Sequence, residues 1–164
     1  MNKNKNFIEI IIPGEPIAQK RHRVSFQARR IYDPLGKIKK KFTLDDSIIR
    51  INGSTQFLES ESLQMCFEFV CNRPKHHHRK NDVDNSIKPN FLHSDKVTKS
   101  DTDNYVKYYM DLLQNLEIKG YKIADDKKII KIEALKRYYL NNENNYTYIK
   151  ILPYITNYDY LKRF

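Results

Sequence analysis

Two aspartates one residue apart, Asp101 and Asp103, open the run SDTDNYVKYYMDLL, and Lys107 follows the second by four residues. In an extended segment, residues two apart point the same way, so both carboxylates can face one spot. Asp103 is also placed to cap a following helix, a role that would leave Asp101 without a task. Lys107 and Asp111 continue a polar row at four-residue steps, which a solvated charge ladder would equally explain. A further pair, Asp125-Asp126, comes directly before a strand-like run, where acidic residues also serve ordinary turns. Gathered at one place, such carboxylates repel one another unless a cation sits among them. Their hard oxygen donors favour Mg²⁺, with Mn²⁺ as the alternative. In a basic chain this is the equipment of metal-assisted phosphodiester hydrolysis, with a lysine to offset charge on the phosphorane.

A near copy lies upstream, Asp82-Val83-Asp84-Asn85, again with a lysine four residues on at Lys88. Pro89 follows at once, and no apolar stripe with a period of 3.6 residues comes after it. No helix can therefore carry Lys88 back toward that pair, and the copy reads as loop.

The elements that must position the first pair follow from periodicity. Tyr105, Tyr109, Leu112, Leu113 and Leu116 form one stripe of an amphipathic helix over 104–117. NFIEIIIPG (6–14) and SLQMCFEFVCN (62–72) read as strands. KKIIKIEALKRYYL (127–140) and YTYIKILPYI (146–155) do so as well, joined by an Asn-rich hairpin loop at 141–145. FTLDDSIIRING (42–53) could hold a helix ending at Gly53. Residues 15–41 are loop-like and dense in Lys and Arg, and 73–100 make a long polar connection, which in a compact domain points to function or disorder. The expectation is one α+β domain over 1–164. It has a small mixed sheet of about four strands with packed helices, a basic segment at 15–41, a polar loop at 73–100 and an acidic helix motif at 101–117.

The balance of 30 Lys and Arg against 20 Asp and Glu gives a net charge of +10, so a polyanion is the natural partner. Ribosomal, membrane-surface and nuclease proteins share such a balance. Lys20, Arg21, Arg23, Arg29, Arg30, Lys37, Lys39, Lys40 and Lys41 form a basic strip interleaved with Phe26 and Tyr32. With a nuclease site nearby, DNA phosphate contact is the expected role, extended by Arg73, Lys75 and Arg79 from the polar loop. His76, His77 and His78 are consecutive and cannot easily converge on one ion, so they read as part of a flexible, DNA-facing loop. Cys66 and Cys71, at odd spacing on one strand, point to opposite faces and read as packed residues in a reducing compartment. No apolar run approaches the length of a membrane span and no signal-peptide pattern opens the chain, so the cytoplasm is the expected compartment.

The acidic run resembles the RusA-like Holliday junction resolvases, crossover-junction endodeoxyribonucleases of phages and prophages. Their signature is Lys-Pro-Asp-x-Asp-Asn-x-x-Lys opening a helix, with a further Asp in that helix and an Asp-Asp pair before a strand. KSDTDNYVKYYMDLL and ADDKKIIKIEALKRYY are similar to it, with Ser100 where the family usually has Pro and a longer stretch before the second pair. PGEPIAQKRHRVSFQARRIYDP looks like the family's basic N-terminal segment, and the resemblance spans most of 7–139. It implies Asp101, Asp103 and Asp126 as metal ligands, with Asp125 the competitor to Asp126, and Lys107 as the essential lysine. His93 falls near the family's loop histidine. The implied activity is Mg²⁺-dependent resolution of branched DNA by paired nicks, carried out by a homodimer inside the host cell if the chain is phage-encoded. Two rivals stand beside it: a nuclease of broader branched or single-stranded specificity, and a non-catalytic basic DNA-binding protein.

Overall fold

The computed structural model describes residues 6–20, 23–25, 30–32, 34–41, 43–60, 62–79, 86–92, 100–123, 125–140 and 143–154. The first strand, β1 (Phe7–Pro13), alternates strictly: Ile8, Ile10 and Ile12 turn inward, and Glu9 turns out. Beyond it come a short antiparallel ribbon of β2 (Arg23–Ser25) and β3 (Arg30–Tyr32) and a helix α1 (Gly36–Lys41), so the basic segment is more structured than its composition suggests. The edge strand β4 (Ile48–Asn52), a single-turn helix α2 (Phe57–Ser60) and the long strand β5 (Leu63–Cys71) follow.

The major helix, α3 (Thr102–Leu113), leads through a small hairpin of β6 (Glu117–Ile118) and β7 (Tyr121–Lys122) to β8 (Ile129–Tyr138) and β9 (Tyr146–Pro153). Five strands make one mixed sheet in the order β4-β1-β9-β5-β8, all neighbours antiparallel except the parallel pair β5 and β8. A parallel pair needs a crossover connection. The chain between β5 and β8 is that crossover, and α3 lies within it.

Cross-strand register fixes the core. Ile10, Ile149 and Phe67 stand in one row, with Ile8, Ile151 and Met65 in the next. This face receives α3, whose Tyr105 and Tyr109 rings lie 5.2 and 5.7 Å from the Phe69 ring. Tyr108, Leu112 and Leu113 complete the buried stripe of the helix. The opposite face is polar: Tyr148 donates to Glu9 at 2.7 Å, and Arg137 bridges Glu68 and Glu143 at 2.6 Å each.

Two expectations are corrected. The 42–53 segment is no helix, because Ile48–Asn52 pairs along β1 as an edge strand that ends at Gly53. The 141–145 segment is not a hairpin loop, because β5 lies between β8 and β9. Cys66 and Cys71 are free thiols on opposite faces as expected, Cys71 in the core and Cys66 beside Glu133, where burial pushes its thiol up.

Candidate functional site

The sheet has two ends, and they carry different chemistry. At one end β5 runs out at Cys71, β8 at Tyr138 and β1 at Pro13, opposite the start of β9. The first turn of α3 is pinned there: Lys136 Nζ donates to the Ser100 carbonyl at 2.7 Å and lies 6.0 Å from the Tyr105 ring. The segment leaving β1 is laid along the same turns. Gln19 N donates to the Asn104 carbonyl at 2.8 Å, and Ile17 N donates to the Tyr109 hydroxyl at 3.2 Å. Burial raises the pKa of both Tyr105 and Tyr109, so they stay protonated and serve as packing and hydrogen-bonding groups.

Asp101, not Asp103, occupies the capping position of α3. Its backbone is extended and its carbonyl accepts from Asn104 N at 3.1 Å, yet its side chain makes no capping bond. Asp103 lies inside the first turn, and both aspartates are exposed. Their carboxylates sit where the helix presents free amides and a partial positive charge, which stabilises anions. Lys107, one turn along, is exposed as well, and so is Asp111.

The connection after β5 is folded onto this end. Arg73, only 7% exposed, directs its guanidinium to the carbonyls of Tyr139, Phe91 and Leu92 at 2.6, 2.7 and 3.3 Å. It therefore fixes the loop and does not present its charge to solvent as the expected phosphate contact would. His77 is buried, stacked on Phe91 at 4.2 Å and edge-on to Tyr138, while His78 Nε2 pairs with the Tyr139 hydroxyl at 3.1 Å. His77 and His78 thus pack the connection onto the strand ends, while His76 is exposed. Burial, reinforced by His76 and Arg73, holds the His77 ring below the usual histidine pKa. Lys88 donates to the His76 carbonyl at 2.8 Å, and among the described residues of this connection Lys75 and Arg79 are exposed cations.

Of the other expected DNA contacts, Lys20 is exposed directly after Gln19, and Arg23 and Arg30 lie on the β2–β3 ribbon. Arg21, Arg29, His93 and the near-copy aspartates Asp82 and Asp84 fall outside the described residues. Two charged groups at this end escaped the motifs. Lys136 is one of several cations on β8 with no pattern to single it out. Glu15 ties the strand ends together by accepting from Asn72 N at 2.8 Å.

Asp125 and Asp126 are at the other end. They line a cleft with Gln114 and Asn115, just past the C-terminus of α3, and with Lys122 and Lys127. Asp125 accepts from Lys127 N at 3.1 Å, and Lys128 reaches back to the carbonyls of Leu58 and Glu59. The 12-residue helix α3 separates the two acidic pairs by roughly 18 Å, at about 1.5 Å per residue. One chain therefore brings Asp101 and Asp103 to one place but leaves Asp126 away from them. Among the described residues no group of three or more His, Cys, Asp or Glu side chains is placed to hold a metal ion. The exposed oxygens of Asp101 and Asp103 are nonetheless the donor type that a hard divalent cation takes, as an incomplete set.

Among the described residues no helix is long and apolar enough to cross a membrane. The family described as Endodeoxyribonuclease RusA matches residues 13–151, which takes in both acidic pairs and the basic segment. No curated protein and no solved structure matches the chain.

Proposed function

The chain belongs to the RusA endodeoxyribonuclease family, and from that premise we propose that it is a divalent-metal-dependent, structure-selective nuclease. Its substrate is a four-way DNA junction, which it resolves by paired symmetric nicks as a homodimer. The observation that carries this reading is Asp101, an exposed aspartate in a capping position whose carboxylate makes no capping bond. A capping or turn role would use that side chain. A ligand role leaves it free.

Asp101 and Asp103 would hold the ion, and Asp126, about a helix length away within one chain, would join them as the third ligand from the second copy of the homodimer. A bound Mg²⁺ or Mn²⁺ would polarise the phosphoryl oxygen and lower the pKa of the attacking water. Lys107, exposed one turn from Asp103, offsets the negative charge that develops on the phosphorus centre. Lys20, Lys75 and Arg79 meet the phosphate backbone, together with Arg21, Arg23, Arg29 and Arg30. These contacts read shape and charge, with little base-edge recognition. Arg73 keeps the loop that carries Lys75 and Arg79 in register with the strand ends. A C2 dimer supplies two sites related by the junction's own symmetry.

The test is a gel assay of synthetic four-way junctions, flaps and forks with Mg²⁺, with Mn²⁺ and with EDTA. Paired nicks on the junction that vanish with EDTA are expected. Binding without cleavage under every metal condition would make the chain a DNA-binding protein only, and equal cutting of all substrates would broaden its class.

A further inference from the structure

The peptide units on either side of Asp101 are both tied down, and neither tie uses its carboxylate. On the helix side its carbonyl accepts from Asn104 N at 3.1 Å. On the other side the Ser100 carbonyl accepts from Lys136 Nζ at 2.7 Å. A peptide unit is planar, so holding the Ser100 oxygen also places the Asp101 nitrogen, one bond from the Cα that bears the acid. Ordinarily a capping side chain sets this geometry by bonding an amide of the first turn. Here the side chain makes no such bond, yet the backbone holds the extended capping conformation, at φ −61° and ψ 151°.

The donor is out of character with its row. Ile132, Ala134, Lys136 and Tyr138 of β8 stand level with Met65, Phe67, Phe69 and Cys71 of β5, on the side of the sheet that receives α3. Lys136 is the charged member of that row. The Phe69 ring lies 5.2 Å from the Tyr105 ring, and the Lys136 ammonium lies 6.0 Å from the same Tyr105 ring. A lysine stem can lie along apolar surface while its ammonium group reaches a polar partner. The partner reached here is the carbonyl directly before Asp101.

We infer that Lys136 is a positioning residue for the nuclease: it takes over the structural duty of the cap, so that the Asp101 carboxylate is left for a divalent cation. This inference rests on the ligand role proposed for Asp101 above. With both flanking peptide units fixed, only the side-chain torsions of Asp101 are left to settle when an ion arrives, and less ordering opposes binding. Gln19 N, which donates to the Asn104 carbonyl at 2.8 Å, steadies the same turn from the β1 side. Lys136 acts through the main chain and touches no reacting atom, unlike the duty proposed for Lys107.

Two substitutions separate this duty from a phosphate contact. Lys136→Met keeps the stem and removes the donor, and Lys136→Arg keeps a donor; Lys136→Gln, with a shorter reach, replaces the Met variant if that one does not fold. In hydrogen exchange followed by NMR, the Asn104 amide should lose protection in Lys136→Met and regain it in Lys136→Arg. In titration with Mn²⁺ alone, the uptake compared is the part that Asp101→Asn abolishes. Lys136→Met should weaken it about tenfold, the lower end of what losing a ligand's outer partner costs. Lys136→Arg should stay near the parental value. Junction binding in EDTA, and its salt dependence, should be the same in all three proteins.

Parental protection of the Asn104 amide in Lys136→Met overturns the clamp. Lost protection with parental Mn²⁺ affinity overturns the positioning role and leaves Lys136 a contact of the fold. A salt slope shallower by about one, with parental Mn²⁺ affinity, makes Lys136 a phosphate contact instead. If the parent itself takes up no Mn²⁺ that Asp101→Asn abolishes, the ligand reading fails and the positioning role fails with it. The exchange measurement still decides the clamp in that case, so the two failures are told apart.

Discussion

Asp101-Thr102-Asp103 and Asp125-Asp126 use the same residue type before a regular element, yet the two ends of the sheet treat them differently. At Asp125 the local backbone uses the carboxylate: it accepts from Lys127 N and stabilises the 3-10 turn that feeds β8. At Asp101 the backbone takes up the capping geometry and makes no use of the side chain. An aspartate's duty thus depends on whether nearby amides occupy its oxygens, and the spelling of the motif leaves that open.

Four substitutions sharpen or break this contrast. The largest effect is expected from Asp103→Asn, which should bind junctions as the parent does while nicking falls on the order of a thousandfold, as several kcal/mol of charge stabilisation is lost. Gel shift and cleavage on the same substrate separate the two, and cutting at the parental rate would remove the acidic pair from the mechanism. Next comes Arg73→Met, which leaves the carbonyls of Tyr139, Phe91 and Leu92 without their donor and should cost about 3 kcal/mol in urea unfolding. An unchanged midpoint would free Arg73 for the phosphate contact its sequence position suggested.

At the opposite end, Asp125→Ala should cost only about 1 kcal/mol, the value of a lost cap. A loss of nicking out of proportion to that small destabilisation would make Asp125, rather than Asp126, the ligand. The smallest effect is a pH slope. His77 is held below the ordinary histidine value of 6.5, so as pH falls through that value the unfolded chain takes up its proton before the folded one, and stability drops. His77→Phe should flatten the slope between pH 7 and 5 in thermal melts, and an unchanged slope would assign it to another group.

Much of this was legible in the residues. The Tyr and Leu stripe gives α3 because a buried helical face repeats at 3.6 residues whatever it packs on. The alternation of Ile8, Ile10 and Ile12 gives β1 in the same way. Period alone fails where an edge decides. Leu44, Ile48 and Ile51 fall at helical spacing, but pairing with β1 draws Ile48–Asn52 into a strand. Partnership is not encoded in alternation either, so the place of β9 between β1 and β5, and with it the loss of the expected hairpin, had no local signal. The remoteness of Asp126 has the same origin. It depends on β8 running parallel to β5, and a strand's direction leaves no mark on its composition.

The central place of β9 also bears on when the protein comes to exist in the cell. Its residues, Tyr146–Pro153, are the last of the described strands to be synthesised, yet they join β1 to β5. A nascent chain that has already released α3 holds two halves of a sheet with nothing between them. Pairings between distant segments form late in folding and expose edges until they do. Translation itself thus acts as a timer, and the acidic pair gains its rigid platform only once that strand has left the ribosome.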